Sequence, residues 1–335
     1  MEKRFYNDYL KYANGLAALY SMKLTENDQR DIISFTPYIY NVCSANCKFC
    51  SEKLVRDGSV MVCNNWVEDY AKRLNDVFVW LGDQKIFLSL SGKEPTESPL
   101  QLKTITECAN RFAPIVTEKV MYTNLSGFGH HFDLLRDIVA KGGLTRIECS
   151  RHHYDEEVNQ TIMCFRKGVE VRSNGVYRDI IRKMADVVDF RLVCVLQKCG
   201  VGTLDEIYRY LDFAQSLGVK DVVFRELAMF DDSIENGVTT KYIEENRVEI
   251  MDLITRLNPD DFRLTDIIKG YYYFSFGYRF RNGLNVCFEM SDYEEMIAKH
   301  YGDKIYKLIL YPNGKLCTDW NMKGELIIEP KKLCV

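Results

Sequence analysis

The sequence lacks any run of about 18 apolar residues, so no membrane-spanning helix is expected and a membrane is not among its partners. Its opening residues, Met1-Glu2-Lys3-Arg4-Phe5, lack the apolar core of a signal peptide. An excess of positive charge is also missing. At a formal net charge of −4 the chain gives no support for a nucleic-acid or anionic-membrane partner. Cysteine, in contrast, is plentiful. Twelve cysteines without secretory features point to a reducing compartment, hence the cytoplasm, rather than a disulfide scaffold. With 335 residues, 47% hydrophobic and 27% charged, the chain is ordinary in composition and long enough for one large domain with an appendage.

Three of the thiols fall within eight residues, Cys43-Ser44-Ala45-Asn46-Cys47-Lys48-Phe49-Cys50, just after the strand-like run Ile32 to Tyr40. Thiolates at C-x3-C-x2-C spacing suit a soft metal centre such as zinc, Cu(I) or an iron–sulfur cluster. A fourth local cysteine is missing, whereas structural zinc and protein-closed cubanes take four ligands. Three ligands on a cubane leave one iron open. Positions i, i+4 and i+7 also share a helix face, so three buried core cysteines are the plain alternative, and zinc or a redox thiol another. The polar flanks Asn41, Ser44, Asn46 and Lys48 argue against a core helix.

At these residues the sequence resembles the radical S-adenosylmethionine (SAM) superfamily, whose signature is C-x3-C-x-aromatic-C after the first barrel strand. The resemblance makes Cys43, Cys47 and Cys50 ligands of a [4Fe–4S] cluster and places Phe49 near the adenine of SAM. A second stretch, Ser91-Gly92-Lys93-Glu94-Pro95, is similar to the superfamily's S-G-G-E-P motif, which binds the SAM amino group through backbone carbonyl and glutamate. Lys93 stands where the second glycine is usual. The chemistry so implied is reductive cleavage of SAM to a 5′-deoxyadenosyl radical, which abstracts hydrogen from a substrate. A reductase such as flavodoxin or ferredoxin is the implied electron donor.

Taken in order, residues 1–31 read as a lead-in helix and a polar linker. Residues 32–232 then alternate strand patterns (32–40, 85–91, 118–123, 144–150, 190–197, 221–227) with helix patterns (about 66–81, 99–112, 131–141, 173–187, 203–217). Mostly apolar strands such as Phe190 to Leu196 fit parallel strands in an α/β fold. Six such units predict the partial (β/α)6 TIM-like barrel that the resemblance implies, with its chemistry at the C-terminal strand ends. There the resemblance nominates Asn124 after strand three, and Ser150 and Arg151 after strand four with Glu148 behind them. Gly200 and Val201 follow strand five, either close to the adenine or as a plain turn. Strand five has Val193 where an asparagine is usual. Of His152 and His153, each is either a proton donor titrating near neutrality or a solvated loop residue.

Residues 233–335 predict a small α+β cap, with a helix over Thr239 to Asn258 and two hairpins turning at Asn282-Gly283 and Asn313-Gly314. The aromatic strand Tyr271 to Phe280 is expected to pack on the barrel mouth. Tyr311 to Cys317 resembles the opening of the superfamily's SPASM or twitch domains, with Cys287 and Cys334 as possible co-ligands of a second iron–sulfur cluster. The later C-x2-C of those domains is absent, so a cluster-free cap is the alternative. The small cap and short lead-in point to a small-molecule substrate in metabolite or natural-product biosynthesis. The twitch-like hairpin points instead to peptide epimerisation or crosslinking. An epimerase needs a hydrogen-donor thiol, for which Cys149 is the candidate. A non-catalytic iron–sulfur or zinc protein is the reading from another class.

Overall fold

The computed structural model describes residues 6–27, 32–40, 43–53, 66–228, 237–300, 305–318, 320 and 326–328. The chain starts with helix α1 (Tyr6–Leu19) and a short strand β1 (Thr25–Asn27). Then strand and helix alternate: β2 (Ile32–Pro37), α2 (Trp66–Leu81), β3 (Lys85–Leu90), α3 (Pro99–Arg111), β4 (Val116–Thr123) and α4 (Phe128–Gly142). The alternation continues through β5 (Arg146–Ser150), α5 (Glu156–Met163), α6 (Asn174–Met184), β6 (Asp189–Leu196), α7 (Leu204–Leu217) and β7 (Asp221–Glu226). After these come α8 (Gly237–Asn246), α9 (Ile250–Ile254), β8 (Phe262–Gly270), β9 (Tyr273–Phe280) and β10 (Asn285–Ser291). The described chain closes with α10 (Tyr293–His300), β11 (Lys307–Leu310), β12 (Leu316–Cys317) and β13 (Leu326–Ile328).

Strands β2 to β7 pair in chain order, each parallel to the next, which is the α/β core read from the sequence. Both hairpins of the C-terminal third form, and Gly283 and Gly314 take the positive φ their turns demand. Each is hydrogen-bonded onto an edge of the core, β10 parallel to β7 and β11 parallel to β2. The sheet therefore runs β1-β8-β9-β10-β7-β6-β5-β4-β3-β2-β11-β12-β13. The polar segment expected as a linker supplies β1, which pairs with β8. The helix expected over Thr239 to Asn258 is interrupted. Arg247 bridges to Gln197 at the end of β6, and α8 and α9 lie on either side.

Period-two alternation divides the strands into two faces. Ile86, Leu88, Met121, Ile147, Leu192, Cys194, Val222 and Phe224 join one core with the buried stripes of the helices, such as Ile207, Tyr210, Leu211 and Ala214 of α7. Each such side chain, fully buried, contributes about 2 kcal/mol. Thr203 caps α7 by accepting the Glu206 N–H, and Gly218 (φ 80°) ends it. Phe274, Phe276, Tyr278 and Phe280 of β9 face the same way, not toward the mouth as the sequence suggested, whereas Tyr273 alternates to the other face. Phe274 and Phe276 pack on Tyr6 and Tyr12 of α1, ring centroids 4.8 and 5.7 Å apart, because residues 274 and 276 share register with Met290 and Phe288.

The opposite face is polar and concave. Tyr122 of β4 lies 5.8 Å beneath the guanidinium of Arg225 on β7. A flat sheet would hold these strands about 14 Å apart. The outer flanks also approach, since Tyr271 stacks on Tyr306 at 4.3 Å and Lys307 sits 5.5 Å over Tyr272.

Candidate active site

The C-terminal ends of β2, β3 and β4 converge. Beyond β2, Ile39 donates its N–H to Ser91 O and accepts from Lys93 N, both at 2.9 Å, so the first two strand ends are zipped together. Gly92 makes this possible. Its φ is 127°, and a Cβ there would come within 2.6 Å of Ile39 O. A side chain at 93 is accommodated because only the Lys93 backbone takes part.

From this base the loop Cys43 to Cys50 runs against the segment after α5. Asn46 N donates to Met163 O, Lys48 N to Ile162 O, and Arg166 N to Ser44 O, at 2.9 to 3.2 Å. Lys53 turns back and donates to Cys47 O at 2.6 Å. Cys43, Cys47 and Cys50 are each half-buried. Burial pushes the Cys43 thiol up to about 11 and Cys47 well above its ordinary value, so without a cation these two thiols stay protonated. Among the described residues no three His, Cys, Asp or Glu stand close enough to share one metal ion. A four-iron cluster takes its cysteine ligands on separate irons, and three thiols on one braced loop fit such a group.

Glu94 is buried, with donors on both oxygens. Thr96 N (3.1 Å), Thr96 Oγ1 (2.7 Å) and Thr123 Oγ1 donate to Oε1, and Asn124 N donates to Oε2 at 2.8 Å. Burial raises its pKa and these donors offset only part of the rise. The side-chain amide of Asn124 donates to Ser44 Oγ at 3.3 Å and stands 3.9 Å from Cys43 Sγ. Ser44 Oγ in turn donates to Ser126 Oγ, and Ser126 to Glu97. One polar network thus ties the cysteine loop to the β3 and β4 ends. Thr96 and Thr123 end the two strand-end stretches the sequence marked and Ser44 lies within the cysteine motif, but Ser126 had no motif to mark it.

The β5 and β6 ends carry the remaining nominated residues. Phe49 meets His152 edge-on at 4.9 Å. His152 is neither solvated nor titrating near neutrality. It is buried, its Nδ1 accepts from Val195 N, and burial pushes its pKa down to about 3. His153 is buried too, with Nε2 3.3 Å from Glu206. Arg151 is fully buried, its guanidinium donating to Val171 O, Arg172 O and Asn174 over the Tyr177 ring. Ser150 stands opposite Val193 in register. Gly200 and Val201 form the turn in which Gln197 N donates to Val201 O; Gly200 packs on Ile162, and the Val201 side chain is in the core.

Cys149 requires a correction. Its neighbours Glu148 and Ser150 occupy the concave face, so period two turns Cys149 to the helix side, where it is buried in the core with its thiol toward Arg191 O. Cys287, half-buried and 2.9 Å from Ser275 Oγ, is a thiol that the register does place on the concave face. Cys317, opposite Ile309 in register, is walled by Tyr38, Ile309 and Tyr311, and Cys334 is outside the described residues. Their neighbours differ, Ser275 for Cys287 and the Tyr38 cluster for Cys317.

The concave face also holds a charge network that the sequence did not disclose. Glu148, 2% exposed, accepts from Arg225 at 2.8 Å and Arg146 at 3.2 Å, with Arg191 at 3.6 Å. Arg225 reaches on to Glu289 of β10 at 2.8 Å. The three arginines hold the Glu148 carboxyl below its ordinary range despite burial.

No family profile and no curated protein matches the chain. Among solved structures it is similar to anSMEcpe with bound AdoMet, at 14% identity and a TM-score of 0.41, over 58% of this chain and 51% of that one. It is similar likewise to the FeFe-hydrogenase maturase HydG from Carboxydothermus hydrogenoformans (15% identity, TM-score 0.41, 62% of this chain and 47% of that one). A third is the radical SAM methyltransferase TsrM from Kitasatospora setae, solved with tryptophan and aza-SAM (12%, 0.41, 58% and 36%). The chain thus spans between about a third and a half of the length of these proteins. The functional reading rests on the residues.

Proposed function

We propose that this chain is a radical SAM enzyme that removes hydrogen from a small-molecule metabolite or natural-product precursor in the cytoplasm. The observation that carries the reading is Asn124, whose backbone holds Glu94 while its side chain reaches the cysteine loop. When bound, a [4Fe–4S] cluster and SAM would supply a strong reductant and a 5′-deoxyadenosyl radical. Cys43, Cys47 and Cys50 would hold the cluster, and Glu94 with the Ser91–Lys93 backbone would receive the SAM ammonium group. Phe49, Ser150 and the Gly200 turn flank the same strand ends.

The remaining residues position and enclose. Glu94 is fixed in one orientation by its donors, so a cationic ligand group meets a preorganised acceptor. The concave wall below, with Arg225, Glu289, Tyr122 and Cys287, suits a polar substrate rather than a lipid. A peptide substrate is the second reading, favoured by the hairpin turning at Asn313-Gly314.

The test is anaerobic reconstitution with iron and sulfide, then reduction, addition of SAM and assay for 5′-deoxyadenosine. A variant with Cys43, Cys47 and Cys50 all changed to Ala runs beside it. The expected result is product from the wild type alone, with iron lost from the variant. Zinc in place of iron, or a cubane that never cleaves SAM across broad substrate trials, overturns the reading in favour of a binding protein.

A further inference from the structure

We propose that the side-chain amide of Asn124 is a fixed hydrogen-bond donor to the Cys43 sulfur and raises the reduction potential of the centre held there. The inference rests on reading the cysteine loop as the cluster holder. The resemblance nominates Asn124 for SAM, yet the geometry commits its side chain to the loop. Asn124 is 5% exposed, and its backbone N–H is taken by Glu94. Its Oδ1 accepts the Ser126 N–H at 2.9 Å. That bond fixes the orientation of the amide, because a flip would set its NH2 against an N–H. Nδ2 therefore faces the cysteine loop, 3.3 Å from Ser44 Oγ and 3.9 Å from Cys43 Sγ.

Two amide hydrogens thus meet two acceptors, and among the described residues Nδ2 has no other. Ser44 does not compete for the sulfur. Its hydroxyl hydrogen goes to Ser126 Oγ at 2.6 Å, and Ser126 passes its own to Glu97 at 2.7 Å. What Ser44 shows to Asn124 is a lone pair, which leaves the amide as the donor beside Cys43. The Ala45 backbone N–H is a second donor to the same sulfur. A thiolate ligand gains electron density when its cluster is reduced, so a donor at the sulfur stabilises the reduced state more than the oxidised one. The buried setting strengthens this preference, since the local dielectric is low. At 3.9 Å the contact is long for a bond to sulfur, so the expected effect is severalfold rather than larger.

The test is a mediated redox titration of the reconstituted full chain without SAM. Titanium(III) citrate supplies the electron, and paramagnetic resonance counts the one-electron-reduced cluster. Asn124→Leu removes both hydrogens at near-constant volume and keeps the backbone N–H to Glu94. At the wild-type midpoint its ratio of reduced to oxidised cluster should fall by about three- to tenfold, the upper figure being about 59 mV for one electron. Asn124→Ala should shift the midpoint the same way by less, because a water can enter and donate, and it covers a loading failure of N124L. Ser126→Ala breaks the hydroxyl chain but keeps the Ser126 N–H that orients the amide, so its midpoint should match that of the wild type. An unchanged or higher midpoint in the loaded Asn124 variants overturns the proposal. An equal fall in S126A also overturns it, as does loss of loading in both Asn124 variants, and either result makes Asn124 a brace for the loop. A wild type that takes up no iron and sulfide sinks the underlying reading instead, and is seen before any titration begins.

Discussion

Asn124 holds Glu94 by its backbone N–H at 2.8 Å, and the same residue brings its side-chain amide within 3.9 Å of Cys43. The carboxylate proposed to meet the cofactor and a thiol proposed for the cluster are thereby tied by one residue at the end of β4.

Replacing Glu94 by Gln tests this arrangement. The carboxylate accepts on both oxygens, so an amide must present its NH2 to a donor, either Asn124 N–H or the Thr96 and Thr123 donors. One mismatched buried donor costs about 1–3 kcal/mol. The expected result is a lower Tm together with SAM binding weakened by about tenfold or more, measured by calorimetry on the reconstituted protein. Unchanged SAM affinity in a folded E94Q protein would show that Glu94 only braces the loop.

The buried charge network predicts a different signature. Glu148 is shared by Arg146, Arg191 and Arg225, so Glu148→Gln leaves three cations crowded on the concave face. Removing one partner from such a buried group costs about 3–5 kcal/mol. The folded pKa of Glu148 lies below its unfolded value, so its contribution is present above the unfolded pKa and lost as pH falls through the folded one. Denaturant midpoints for wild type and E148Q should therefore differ clearly at pH 7 and converge in strong acid.

His152 adds a second acid-sensitive element with its own window. Its folded pKa is pushed down to about 3 from an ordinary value of 6.5, because burial and the nearby Arg151 and Arg225 disfavour the cation. Below pH 6.5 the unfolded chain takes up a proton that the folded one refuses. Stability should thus fall from pH 6.5 toward pH 3, by up to about 1.4 kcal/mol per pH unit. His152→Phe should flatten that slope in urea titrations. An equal slope in H152F would place the acid sensitivity in other groups.

Much of this was legible in the sequence, for reasons that particular residues make plain. The cysteine loop and Ser91 to Pro95 carry their chemistry in a short continuous stretch, and the core strands and helices announced themselves by length and apolar pattern. What escaped was the content of the concave face. Arg191 sits inside the run Phe190 to Leu196, Arg225 stands beside Glu226 at the end of β7, and Glu289 near the end of β10. Their meeting depends on curvature that sets β4 against β7, which no local pattern encodes. The β9 aromatics were visible as a strand, but the face they cover depends on register with β10.

The thiol assignment gives the last prediction, because it turns on face alone. Cys149 was the sequence's candidate for a hydrogen donor, yet its side chain lies in the core while Cys287 lies on the concave wall. Cys149→Ala removes a buried sulfur and leaves a small cavity, which should lower stability by about 1–2 kcal/mol. It should leave 5′-deoxyadenosine formation per folded molecule unchanged, because nothing on the concave face loses a contact. Cys287→Ala should reverse the pattern, with little change in Tm and an altered product or partition wherever the substrate reaches that wall. Tm and product analysis on the two variants side by side decide the matter. A C149A enzyme that is stable but catalytically silent would mean that the strand can present its other face, and the register of β5 against β4 and β6 would have to be redrawn.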